Sequence, residues 1–262
     1  MSDKTHKCGG CGGCGADSGH GHTSPASSKD PANPLSQIKT VIGVMSGKGG
    51  TGKSLVCGLL AVELSKKGKK VAILDADIGS GIISELFPIP QGVTRGDVGL
   101  YPAITEGGIK VMGIDLLLEE GADAVTWRGP IMAGIVSQFW SDVIWDEIDC
   151  LLIDFPPGNG DVAQMVLERL PLDGVILITT PQETANAKVA RTARMVQGMC
   201  IPVLGIVENL CNLFGERKPT HGLPMLDRIP LDLRLAEAAN TGGLEEIETD
   251  YLVNTVAVIA AI

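Results

Sequence analysis

Three features of the sequence predict an α/β fold built on a doubly wound, mostly parallel sheet with helices on both faces. Short apolar runs alternate with helical patterns from Thr40 onward, the runs are continuous rather than alternating, and a glycine-rich loop sits between the first run and the first helical pattern. The predicted strands are Thr40–Met45, Lys70–Leu74, Ile109–Ile114, Cys150–Ile153, Gly174–Thr180 and Val203–Val207. Helices are predicted at Lys53–Lys67, Pro130–Ile144, Asp161–Glu168 and Thr184–Gly198. Runs such as Leu151-Leu152-Ile153 and Val175-Ile176-Leu177-Ile178 suit strands covered on both faces. The apolar run Leu252–Ile262 is too short to span a bilayer and is expected to pack as a terminal helix.

The chain divides near Pro34. Residues 1–34 are rich in Gly, Ser, Pro and Cys and hold no Val, Ile, Leu, Phe, Trp or Tyr. Such a segment buries too little apolar surface to offset its ordering entropy, so a mobile arm, ordered only on binding, is expected. Residues 35–262 form the second unit, a single α/β domain. With 262 residues and 44% hydrophobic content, one sizeable core is expected. The formal charge of −10 argues against a nucleic-acid-binding surface, which needs clustered Lys and Arg. No segment reads as an export signal, so a cytoplasmic protein is expected, and seven cysteines there read as thiols or metal ligands.

The strongest chemical signal is Gly47-Lys48-Gly49-Gly50-Thr51-Gly52-Lys53-Ser54, which fits G-x-x-x-x-G-K-[ST] between a predicted strand and a predicted helix. Its glycines let backbone N–H groups turn inward on phosphate oxygens, at the positive end of the following helix. Lys53 would reach the β and γ phosphates of ATP, and the Ser54 hydroxyl would ligate Mg²⁺. Asp154, closing the run Leu151-Leu152-Ile153, is the second candidate for the metal. Asp77, in Leu74-Asp75-Ala76-Asp77, is the candidate for orienting the attacking water or the metal's water shell. A strand-end Asp taken alone is more often a cap or turn former; three sites at strand ends favour the functional reading. Lys48, Asp77 and Asp154 are the proposed catalytic groups.

Lys48 to Ser54 resembles the deviant Walker A motif of the MinD, ParA and nitrogenase iron protein superfamily. That resemblance implies that Lys48 reaches the partner's phosphates across a nucleotide-sandwich homodimer. More narrowly, Trp127-Arg128-Gly129-Pro130, Asp154-Phe155-Pro156-Pro157-Gly158, Thr180-Pro181-Gln182, Val207-Glu208-Asn209 and Ile229-Pro230-Leu231-Asp232 resemble the Mrp-type iron–sulfur carrier ATPases, from about Ile38 to Gly243. The resemblance implies an ATPase that binds a cluster and hands it to apo-proteins with the help of assembly factors. It places Asn209 at the adenine, with Pro230 near the base. Two departures stand out. The C-x-x-C pair usual after Val-Glu-Asn is replaced by the single Cys211 and an apparent deletion, and Ile78-Gly79-Ser80-Gly81 differs from the common Tyr-Gly-Pro form.

Cys8, Cys11 and Cys14 form C-x-x-C-x-x-C, which supplies three converging thiolates for an iron–sulfur cluster. A fourth ligand would come from His20, His22, a distant Cys or another chain; zinc is the rival metal for such a set. Cys211 is kept as a further candidate ligand. Cys57 and Cys150 read as small core residues. The rival functions are a MinD-like positioning ATPase, a ParA-like DNA partitioner, a reductase like the nitrogenase iron protein and a zinc-binding P-loop regulator. The first needs a basic amphipathic tail, and no Lys or Arg follows Arg234, so no membrane partner is expected.

Overall fold

The computed structural model describes residues 29–78, 81–118, 129–181, 183–213 and 222–262. In chain order the elements are β1 (Gln37–Ser46), α1 (Lys53–Lys66), β2 (Val71–Asp75), α2 (Ile82–Glu85), β3 (Thr94–Gly96), β4 (Gly99–Tyr101), β5 (Ala103–Ile104) and β6 (Lys110–Met112). They continue with α3 (Gly129–Asp142), β7 (Glu147–Asp154), α4 (Asp161–Arg169), β8 (Gly174–Thr179), α5 (Glu183–Gly198), β9 (Val203–Asn209), β10 (Met225–Ile229), α6 (Leu233–Thr241) and α7 (Val253–Ala260).

The main sheet has eight strands in the order β10-β9-β8-β1-β7-β2-β6-β5. Every neighbouring pair is parallel except β5 and β6. Because side chains alternate along a strand, each central strand supplies two cores. Ile42, Val44, Ile73, Leu152 and Ile176 pack with Leu59, Leu60, Leu235 and Ile259 of α1, α6 and α7. Val41, Met45, Leu74, Ile153 and Leu177 pack with Val136, Val166 and Val196 of α3, α4 and α5 on the other face. Full burial of one such aliphatic side chain stabilises the fold by roughly 1.5–3 kcal/mol. The expected terminal helix is α7, and its Val256 and Ile259 are buried in the first of these cores.

The six predicted strands are all present, with shifted ends. Ile109–Ile114 shrinks to Lys110–Met112, and Thr180 lies just past β8. The strand β10 and the helix α6 carry no apolar run in the sequence, and the structure adds both. In β10 the charged pair Asp227-Arg228 hides the strand pattern, but each charge has an assigned partner. Asp227 accepts from Thr255 N at 2.7 Å and Thr255 Oγ1 at 2.6 Å, capping the start of α7, and Arg228 pairs with Glu208 at 3.4 Å. The residues just before Leu35 are tied to the body: Asp30 N donates to Arg169 O, Trp140 Nε1 to Asp30 O, and Asn33 Nδ2 to Asp142 O.

β1 lies between β7 and β8, and the helices that follow β1 and β8 leave to opposite faces of the sheet. A crevice therefore opens at the carboxyl end of β1, where ligands bind sheets of this kind. No helix among the described residues is long and apolar enough to cross a membrane.

Candidate nucleotide site

The loop 47–52 leaves β1 at that crevice and turns directly into α1. Gly52 adopts φ 76° and opens the helix, with Val56 N donating to Gly52 O at 2.9 Å. A side chain here would meet strain at that φ and would also place a Cβ 2.3 Å from Asn209 Nδ2. Gly47 is required for a different reason: a Cβ there would lie 2.8 Å from the Lys188 backbone of α5. Ser46 Oγ donates to Lys48 O at 2.9 Å, tying the first turn of the loop to the end of the strand.

Register then delivers the acids. Asp154 ends β7 opposite Val44 of β1 and Asp75 of β2. Lys53 Nζ is 2.7 Å from Asp154 Oδ1 and 3.7 Å from Asp77 Oδ2, and it donates to Ser54 Oγ at 3.2 Å. Ser54 Oγ donates to Asp154 Oδ2 at 2.5 Å. Asp154 is fully buried, and that burial raises its proton affinity against the opposing pull of Lys53. Asp75, buried as well, is raised well above the ordinary carboxylate range, first by burial and then by the charge on Asp154. Sequence reasoning gave Asp75 no role. Its Oδ1 accepts Asp77 N at 2.8 Å, an Asx turn that fixes where Asp77 points, and the D-x-D spacing was the available signal.

A cavity of about 380 Å³ lies over these groups, lined by Lys48, Gly50, Lys53, Asp77, Ile82 and Pro157 among others. A larger depression of about 490 Å³ sits at the amino ends of β2 and β7, between Lys69, Lys110 and Glu147, far from this chemistry. Asn209 and Pro230 come together through the β9–β10 pairing, where Asn209 stands opposite Ile229. The hydroxyl of Ser54 and the carboxylates of Asp154 and Asp77 are hard oxygen donors converging beside Lys53, a set that fits Mg²⁺.

The loop after β7 is anchored on both sides. Phe155 N donates to Val44 O at 3.1 Å and Gly158 N to Ser46 O at 2.9 Å. The Thr192 hydroxyl of α5 donates to Asn159 Oδ1 at 2.6 Å. This tie between the loop and α5 was not legible in the sequence, because no motif marks a lone Thr on a helix.

The description of the NUBPL iron-transfer P-loop NTPases, within the ParA group, matches residues 37–260. The chain belongs to that family. It is 40% identical over 226 residues to a Methanocaldococcus jannaschii protein named iron-sulfur cluster carrier protein, covering 79% of this chain and 78% of that one. Among solved structures, a nucleotide-binding protein of Archaeoglobus fulgidus in complex with ADP is similar at 39% identity and a TM-score of 0.69, covering 81% of this chain and 90% of that one. The Pyrococcus furiosus cell division ATPase MinD superposes with a TM-score of 0.64 at 20% identity, over 84% of this chain and 97% of that one, and shares the fold.

As a NUBPL-type P-loop NTPase the chain has its phosphate loop, Lys53, Ser54, Asp77 and Asp154 in one constellation. The cysteines divide differently. Cys8, Cys11 and Cys14, with His20 and His22, lie outside the described residues, as do Gly79, Ser80, Trp127, Arg128 and Gln182. Cys57 and Cys150 are buried thiols whose proton affinity burial pushes up, to about 12 for Cys150, so both are core residues as expected. Cys200 is exposed at the end of α5, and Cys211 is half-buried, its thiol raised by burial and then by Glu208. Among the described residues no group of three or more His, Cys, Asp or Glu is arranged to hold a metal ion.

Proposed function

We propose that this chain is an ATP-hydrolysing iron–sulfur carrier that acts as a homodimer in the cytoplasm. Its cargo is a cluster, of the [4Fe-4S] kind, which it passes to apo-proteins. The observation that carries the reading is the Lys53–Asp154–Ser54 constellation at the carboxyl end of β1, in a chain 40% identical to a protein named as a cluster carrier. Backbone amides of residues 47–52 and the Lys53 ammonium hold the β and γ phosphates, while Ser54 and Asp154 hold Mg²⁺. The metal, when bound, neutralises charge developing on the phosphate oxygens. Asp77, aimed by Asp75, orients the attacking water. Lys48 reaches the phosphates bound to the second copy, and Asn209 and Pro230 flank the adenine.

The cluster is substrate rather than resident cofactor, and Cys8, Cys11 and Cys14 are its proposed ligands, with Cys211 as a further candidate. Support comes from the described alternatives: Cys57 and Cys150 are sealed in the core, which leaves the arm as the place with three neighbouring thiols. Anaerobic reconstitution with iron and sulfide tests this. Visible absorption that survives desalting and disappears in the Cys8/Cys11/Cys14→Ser protein is expected; full retention in that protein would remove the arm from the mechanism. Metal analysis of the purified protein separates iron from zinc. For the ATPase, Lys53→Ala is expected to lose nucleotide binding itself, measured by calorimetry with Mg²⁺.

A further inference from the structure

Asn209 ends β9, two strands away from the phosphate loop in the sheet, yet its side chain is built into that loop. A carboxamide offers two N–H donors and an oxygen with two lone pairs. Here Nδ2 donates to Thr51 O at 2.9 Å, a contact between residues 158 apart in sequence, and Oδ1 accepts Leu210 N at 2.9 Å. One donor and one acceptor are thereby committed within the protein. The fit on the other side is equally close, since the Nδ2 atom occupies the space that a Cβ on Gly52 would need. Leu210 adopts φ 59°, a left-handed conformation that is costly for a Leu. The bend turns the chain immediately after Asn209, and the Oδ1 contact to Leu210 N braces it. Thr51 is itself buried, so without Asn209 its carbonyl would lose a protein partner where water enters poorly.

We infer that Asn209 is a positioning residue of the phosphate loop. Its amide holds the Thr51–Gly52 turn in the form that grips a polyphosphate, whether or not a base is present. The inference rests on the nucleotide reading above and deepens it: the residue placed at the adenine also sets the geometry at the other end of the ligand. Thr51–Gly52 is where the loop passes into α1, so a shift there moves Lys53 and the first-turn amides together.

Tripolyphosphate, which has the phosphate chain and neither sugar nor base, separates the two roles. The full chain, its Asn209→Ala variant and its Asn209→Asp variant are titrated by calorimetry with magnesium tripolyphosphate and with Mg·ATP. Asn209→Asp keeps the size and the Oδ1 acceptor but loses the donor to Thr51. The expected result is that both variants bind tripolyphosphate roughly ten-fold more weakly than wild type, with at least the same loss for ATP. Variants that lose ATP affinity while binding tripolyphosphate as wild type does would overturn the inference, as would a wild type that binds ATP and ignores tripolyphosphate. A wild type that binds neither overturns the nucleotide reading instead.

Circular dichroism establishes that each variant is folded. If neither is, the wild-type protein answers through the side-chain amide resonance of Asn209 in a nitrogen-15 spectrum. A shift on adding tripolyphosphate supports the inference, and a shift with ATP alone overturns it.

Discussion

At Asp154 a fully buried carboxylate is tolerated because Lys53 and the Ser54 hydroxyl meet it directly. At its neighbour Asp75, burial and then the charge of Asp154 outweigh the backbone N–H it accepts and the pull of Lys53, so its carboxyl binds a proton more tightly in the fold than in the unfolded chain. A carboxyl raised in this way costs stability as pH climbs above the unfolded value near 3.8, since the unfolded chain ionises more readily than the fold. Asp75→Asn keeps Oδ1 as the acceptor for Asp77 and removes the buried acid. Urea unfolding is therefore expected to show Asp75→Asn more stable than wild type at pH 7, on the order of 1–3 kcal/mol. The gain should shrink towards zero near pH 4. A gain independent of pH would mean that burial of charge is not its source. The sequence exposed Asp75 as a D-x-D member but not this cost, because burial and the Asp154 contact depend on the register between β2 and β7.

Secondary-structure elements were legible to the extent that they are apolar. β1, β7 and β8 are sealed under helices on both faces, so the requirement for uninterrupted Val, Ile and Leu overrides other signals. β10 lies at the sheet edge, where burial on both faces is not imposed, and its acid serves another element. Asp227 accepts Thr255 N, Thr255 Oγ1 and Asn254 Nδ2, so it joins β10 to the first turn of α7. Asp227→Ala is expected to lower stability by about 2–4 kcal/mol in thermal or urea unfolding, because it strands the N–H and hydroxyl of the buried Thr255. Asp227→Asn, which keeps an acceptor, should lose less. The neighbouring helix α6 begins at Asp232, which accepts Arg234 N and pairs with the Arg234 guanidinium, so its carboxyl falls to about 2. For a depressed carboxyl the sign is opposite to that of Asp75. Its contribution is complete above about pH 4 and drains away between there and about pH 2, so Asp232→Asn should narrow its gap to wild type across that window.

On the scale of the whole molecule, the order of strands does what no single motif can. The phosphate loop, Asp75, Asp77 and Asp154 come from three separate strand ends, and β1 at the centre, between β7 and β8, gathers them at one crevice. The motifs singled out Lys53, Ser54, Asp77 and Asp154 as candidates and passed over Asp75; that all of them stand at one crevice needed the fold. In the proposed homodimer two copies of a chain carrying −10 repel one another at long range, so closure would have to be held by what lies between the two phosphate sites. ATP favours closure only by binding the closed pair more tightly than the open one, and an added γ-phosphate met by a cation from the second copy is such a difference. Lys48 lines the cavity, while Lys53 is buried against Asp154 of its own copy. Light scattering on gel-filtered protein should therefore show a monomer with Mg·ADP and a doubled mass with a slowly hydrolysed ATP analogue. Lys48→Ala should keep nucleotide binding but stay monomeric with either ligand, with ATP turnover lost together with the dimer. A Lys48→Ala protein that doubles its mass like the wild type would remove this lysine from the contact between copies and leave closure to other groups at the cavity mouth, such as Ile82, which is 41% exposed.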